Sequence, residues 1–270
     1  MTITAEMIKE LREKTSVGIM DCKVALKEAG GDLEKAVVIL REKGLAMANK
    51  KADRSATEGR VFIQTESGTV LALILNCETD FVGNNEQFIA LGNQIVAAAA
   101  KNAAKDIETL EQVKINGQTV STLLSESVLK LGENISLGTL FSLSVSGSAE
   151  YYIHSNGKMA AIVTSSGAND SEILKDIAMH IVAASPTYLN REEVPASVIE
   201  AEASIVRKQM ETSKKPAQVM DKIIEGKVTK FYQENCLLEQ SFIKDPEKVI
   251  SQLLPSGSTI QAFKRFVIES

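Results

Sequence analysis

Apolar side chains recur at helical spacing through the first 45 residues. Met7, Ile8 and Leu11 form one stripe, Cys22, Ala25, Leu26 and Ala29 a second, and Ala36, Val37 and Leu40 a third, the pattern of three short amphipathic helices. Gly18 and Gly30-Gly31 interrupt the stripes, Asp32 is placed to cap the third helix, and Gly44 to end it in a left-handed turn. Ile19 and Met20 fall in the turn beside Gly18, either plugging the small helical core or presented outward, with Met20 the better candidate for exposure. Residues 46–59 carry Lys50, Lys51 and Arg54 with little periodicity and read as a linker.

From residue 60 the period changes to two. Arg60–Gln64 and Val70–Leu75 flank Glu66-Ser67-Gly68, which suits a β-hairpin. After a cap at Asn84 or Asn85, Phe88, Leu91, Ile95, Val96 and Ala99 mark an amphipathic helix. The order then recurs: strand Tyr151–His154, a turn at Asn156-Gly157, strand Met159–Val163 and helix Glu172–Ala184. The likeness extends to residues, Gly68–Ala72 against Gly157–Ala161 and Gln94–Ala98 against His180–Ala184, at offsets of 89 and 86. Such self-similarity points to an internal duplication of a hairpin-plus-helix unit. Between the copies Leu110–Lys130 reads as one helix, followed by Leu131-Gly132-Glu133-Asn134-Ile135. Beyond the second copy, Val194–Met210 and Ala217–Gln233 read as two helices joined by Glu211–Pro216, with Val198, Ala201 and Ile205 striping the first and Met220, Ile224, Val228 and Phe231 the second. A last strand is expected at Ile260–Ile268.

The expected fold class is therefore α+β: an N-terminal three-helix domain at 1–45, a linker at 46–59, a first core half at 60–145, a second at 146–190 and 235–270, and an antiparallel helical hairpin inserted at 191–234.

Composition narrows the function. The 270 residues are 44% hydrophobic and 24% charged, a globular composition, and no apolar run approaches the ~20 residues that cross a bilayer. The N-terminus lacks a basic start and an apolar core segment, so the expected location is cytoplasmic. A net charge of −5 argues against a surface built for nucleic-acid phosphates and favours a protein partner. Neither G-x-x-x-x-G-K-[ST] nor G-x-G-x-x-G occurs, so no bound nucleotide or other cofactor is expected. Cys22, Cys77 and Cys236 are widely spaced, and His154 and His180 sit in no metal-binding motif. A Cys77–histidine nucleophile pair remains open, against the reading of Cys77 as a small buried hydrophobe after the run Leu71–Leu75.

The loop Thr79-Asp80-Phe81-Val82 sets a carboxylate beside a large aromatic between a strand and a helix. In one reading Phe81 folds under the helix and Asp80 caps a turn; in the other the pair is an exposed protein-binding anchor. Copy two has Ser165–Asp170 at the equivalent place, without an aromatic, so the unit does not need one to fold.

Leu11–Leu26 with its Thr15-Ser16-Val17-Gly18-Ile19-Met20-Asp21-Cys22-Lys23, together with Asn76–Val82 and Ile177–Ile181, closely resembles the elongation factor Ts family. The resemblance implies a non-enzymatic guanine-nucleotide exchange factor that binds GDP-bound elongation factor Tu, with a ubiquitin-associated-like N-terminal domain, a duplicated core and a coiled-coil hairpin. It implies that the loop Thr79, Asp80, Phe81 and Val82 enters the partner's G domain and dislodges Mg²⁺, after which GDP leaves. It further implies contacts from Arg12, Met20, Asp21 and Lys23 to the G domain and from Gly132 and His154 to another partner domain. No direct nucleic-acid or membrane contact is implied, and a homodimer or heterotetramer stays open. The competing functions are an adaptor that binds another protein through the helical module without exchange activity, and a cysteine-dependent enzyme.

Overall fold

A computed structural model describes residues 2–167, 170–210 and 217–269. The fold is α+β, in two compact units: one runs to Ser144 and includes Asn156–Lys158 and the chain from Val267, the other comprises Val145–Ser155 and Met159–Phe266.

The first unit opens with α1 (Ala5–Thr15), α2 (Ile19–Glu28) and α3 (Leu33–Lys51). The expected stripes are the ones that meet: Leu11, Cys22, Ala25, Leu26, Ala36 and Leu40 share a small core. Asp32 caps α3, its carboxylate accepting from the Lys35 amide at 3.0 Å. Gly44 does not end that helix, and the expected linker is helical as far as Lys51. Gly44 is buried, and a Cβ there would sit 3.0 Å from the Ser125 carbonyl oxygen. The glycine thus serves close helix approach, not termination. A module of about 45 residues holds a marginal core by itself, and this one borrows Leu129 from a later helix to complete it.

Strands β1 (Glu58–Glu66) and β2 (Thr69–Cys77) form the expected hairpin, followed by the single turn α4 (Asp80–Gly83) and by α5 (Glu86–Lys101). Asn85, the second of the two candidates, is the α5 cap and accepts from the Gln87 amide at 2.8 Å. The single helix expected over Leu110–Lys130 is instead α6 (Ile107–Gln112), a small hairpin of β3 (Lys114–Ile115) and β4 (Gln118–Thr119), and α7 (Val120–Leu131). Asn116 and Gly117 at its tip have φ of 50° and 85°, the left-handed pair that Asn-Gly adopts in a tight hairpin turn. The alternating stretch at β5 (Ser136–Ser144), which the sequence reading passed over, completes a sheet of order β1-β2-β5. Leu71, Leu73 and Leu75 of β2 and Phe88, Leu91, Ile95 and Ala99 of α5 are buried together, as period two and period 3.6 require.

The second unit repeats the plan with β6 (Ser148–Ile153), β7 (Met159–Ser166) and α8 (Ser171–Ala184). Its helix positions match those of the first: Ile181 and Val182 are buried like Ile95 and Val96. One pair differs, for Gln94 is exposed and its counterpart His180 fully buried. The unit carries an added layer, and His180 Nε2–H donates to Gln240 Oε1 at 2.9 Å while Nδ1 accepts from the Ile243 amide at 3.3 Å. Burial holds this histidine below its ordinary value near 6.5. As pH falls, the unfolded chain therefore binds a proton that the folded chain refuses, so the stability this histidine contributes is full above about pH 7 and is lost progressively as pH falls below its ordinary value. Melting temperature recorded from pH 7 to 5 should fall less steeply for His180→Gln than for the parent; equal slopes would contradict this assignment.

The remaining elements are α9 (Ala196–Met210), α10 (Ala217–Asn235), β8 (Ser241–Phe242), β9 (Asp245–Val249) and β10 (Thr259–Val267), which joins the sheet β10-β7-β6. The expected joint Glu211–Pro216 lies outside the described residues. On α10 the stripe Met220, Ile224, Val228 and Phe231 is half-buried as expected, but on α9 Ala201 and Ile205 are exposed, and Ala203 and Val206 are buried instead. At the root of the pair Arg191 binds Glu239 through two hydrogen bonds of 2.5 and 2.7 Å and lies 4.6 Å over the Tyr232 ring. Among the described residues no helix is long and apolar enough to cross a membrane.

Candidate functional site

Phe81 is 85% exposed, the most exposed of the large apolar side chains in the described residues. Its neighbour Val82 is only 9% exposed and belongs to the first core. Within the loop the two outer residues hold and the two inner ones project. Thr79, and not Asp80, is the cap of α4, its hydroxyl oxygen accepting from the Val82 amide at 3.4 Å. Asp80 is exposed at the first helical position, where a carboxylate suits the positive end of the turn.

One helical turn is too short to be stable unaided, and the surroundings supply its ties. On one side, Arg60 of β1 donates to the Asn84 side-chain oxygen at 2.9 Å and to the Gly83 carbonyl at 3.4 Å. On the other, the Glu133 carboxylate accepts from the backbone amides of Glu78 and Thr79 at 3.1 and 3.0 Å and from the Thr79 hydroxyl at 2.6 Å. Glu78 returns the contact, accepting from the Asn134 amide at 2.7 Å, and Asn134 in turn donates its side-chain amide to the Arg54 carbonyl at 2.9 Å. Gly132, an exposed left-handed residue ending α7, precedes this pair, and its carbonyl accepts from the buried Lys51 ammonium.

Sequence reasoning missed Arg60, Glu78, Glu133 and Asn134. One signal was available for Glu133: an acid just past a helix C-terminus faces the unfavourable end of the dipole, which suggests a partner elsewhere.

Cys77 lies directly under the loop, fully buried, its thiol donating to the Thr79 carbonyl at 3.1 Å. Burial first, and then the charges of Glu133 and Glu58, push its pKa up to about 12. The thiolate is the nucleophile in cysteine chemistry, and a buried thiol held protonated matches the reading of Cys77 as a small hydrophobe in the core. His180, the other half of one proposed pair, is occupied by Gln240 and Ile243.

The N-terminal candidates lie on α1 and at the start of α2. Arg12 and Lys23 are exposed, and Met20 is 69% exposed in the first turn of α2 behind its cap Gly18. Ile19 is exposed as well, and Val24, one turn beyond Met20, widens the apolar patch in a way the sequence reading did not anticipate. Asp21 is half-buried and engaged with Lys43 of α3. In the second unit, His154 is half-buried; its Nδ1 accepts from the Ser155 amide at 2.9 Å and its ring stacks on Tyr152 with centroids 6.4 Å apart.

The loop thus presents a hydrophobic ring and a carboxylate, side by side and exposed, on a backbone tied by Thr79 and its partners. The family described as elongation factor TS matches this chain over residues 78–270, from the loop to the end of the sequence.

Proposed function

We infer from membership, since the chain belongs to the elongation factor Ts family and so to the translation elongation factors, that it binds GDP-bound elongation factor Tu and accelerates GDP release. In this reading Asp80 and Phe81 enter the G domain and disturb the supports of the bound Mg²⁺, with Thr79 and Val82 holding them in place. The observation that carries it is the ring of Phe81, exposed on a loop whose flanking residues Thr79 and Val82 are anchored. Mg²⁺ requires a near-ideal octahedral shell, so small displacements of its supports suffice to weaken it. Each tenfold gain in release rate needs about 1.4 kcal/mol, within the roughly 2–3 kcal/mol that burying one Phe contributes.

Arg12, Met20, Asp21 and Lys23 are proposed as further G-domain contacts, and Gly132 and His154 as contacts to another domain of the partner. The module plan follows the same reading: a ubiquitin-associated-like domain at 1–45, core halves at 60–145 and at 146–190 with 235–270, and a coiled-coil hairpin at 191–234. An adaptor lacking exchange activity would explain the exposed patch of Ile19, Met20 and Val24, but not the loop.

The test is direct. Catalytic amounts of the chain, mixed with elongation factor Tu loaded with a fluorescent GDP, should speed nucleotide loss at least about tenfold. A flat trace would overturn the reading. By linkage, saturating GDP should weaken the complex by the factor the chain weakens GDP binding.

A further inference from the structure

Glu133 joins parts of the chain that are 54 and 55 residues apart, and its three accepted hydrogen bonds all go to the segment that enters α4. We propose that Glu133 is a positioning residue for the Asp80–Phe81 wedge, one that fixes the loop in its binding form before a partner arrives. The proposal rests on the exchange reading above.

The physical case begins with the loop's own weakness. Four residues of helix fix many dihedrals for few bonds, and only Val82 and Gly83 of α4 are buried. A mobile loop would lay an exposed Phe on its own surface or sample many orientations, and ordering it would then be subtracted from the affinity for a partner. The Glu133 carboxylate removes that cost. It receives two amides and a hydroxyl, donors to a charged acceptor being roughly twice as strong as neutral ones. The reciprocal bond from the Asn134 amide to Glu78, and the bond from Asn134 to the Arg54 carbonyl, tie the same loop to the chain leaving α3. The wedge is therefore held from β2, from α7 and from the segment after α3 at once.

A carboxylate that merely stabilises the fold would shift melting and leave the concentration dependence of exchange alone. The experiment uses the full chain with Glu133→Ala and Glu133→Gln. GDP release from loaded elongation factor Tu is followed across chain concentrations, with amide hydrogen exchange at Glu78 and Thr79 in the free chain. For Glu133→Ala the half-maximal concentration should rise roughly tenfold, the loss of about one charge-assisted bond net, with the maximal rate kept and the two amides exchanging faster. Glu133→Gln should recover both readouts to within about threefold, because its side-chain oxygen accepts from the amides and its NH₂ donates to the Thr79 hydroxyl oxygen. If Glu133→Ala does not fold, Thr79→Val, which removes the hydroxyl end of the clamp, should give a smaller rise of the same kind. An alanine variant with parental concentration dependence, unchanged exchange at the two amides, or a glutamine variant as impaired as alanine would overturn the proposal. Should the parent itself fail to release GDP, the exchange reading fails, and the amide protection alone decides the clamp.

Discussion

Replacing Phe81 by alanine should cut the stimulated rate of GDP release by roughly 30-fold or more while leaving the melting temperature where it was. The ring is 85% exposed, so its own fold gains almost nothing from it, and surface substitutions of this kind change stability by about 0.5 kcal/mol or less. A partner that buries the ring gains roughly 2–3 kcal/mol, and at about 1.4 kcal/mol per decade that corresponds to about 30- to 150-fold in rate if the burial is realised in the release transition state. The backbone of the loop is held by Arg60, Thr79, Val82 and Glu133, none of which touches the ring's role. Stopped-flow release of fluorescent GDP and a thermal melt on the same preparation decide the matter. An exchange rate within twofold of the parent would remove Phe81 from the mechanism.

Phe88 lies seven residues further on, and its replacement by alanine should do the opposite. This ring is fully buried in the first core, tilted against Phe62 with centroids 6.5 Å apart, and surrounded by Leu71, Leu73 and Leu91. Truncating a buried Phe costs about 3–5 kcal/mol, from lost transfer energy and from the cavity that remains. Because the chain has two compact units, unfolding need not be one transition, and the denaturant midpoint is best followed through slow-exchanging amides of β2 and α5. Those amides should lose protection by about 3 kcal/mol or more. A loss under about 1 kcal/mol would mean that the core closes around the gap and that Phe88 is not its centre. The same residue type thus separates function from stability within one short stretch of chain.

The helices and hairpins whose apolar spacing is local were legible. Leu11, Cys22, Leu26, Ala36 and Leu40 face one another as their stripes require, and the repeat of hairpin plus helix places Ile95 and Ile181 at equivalent buried sites. At two places the sequence reading differs from the structure. Gly44 has the look of a helix stop, and a glycine in a helix interior costs about 1 kcal/mol relative to alanine. Close packing against the Ser125 carbonyl of α7, where a Cβ would sit tightly at 3.0 Å, favours the glycine there, and α3 runs on to Lys51. Likewise the Asn116-Gly117 turn divides what periodicity alone joined into one helix.

The candidate site shows the same division more sharply. The pairing of an acid with an aromatic at Asp80 and Phe81, and the absence of an aromatic from the second copy, were present in the sequence and required no coordinates. Whether that ring lay inside or outside was not, because an apolar residue between a strand and a helix satisfies either pattern. The direction of the Thr79–Val82 turn decided it, and that direction is set by Arg60 and Glu133, partners reached across 24 and 54 residues. Periodicity records which face of an element is apolar, since that face repeats every two or 3.6 residues. It holds no record of a single carboxylate meeting a single amide from another part of the chain, and only the folded backbone brings those two together.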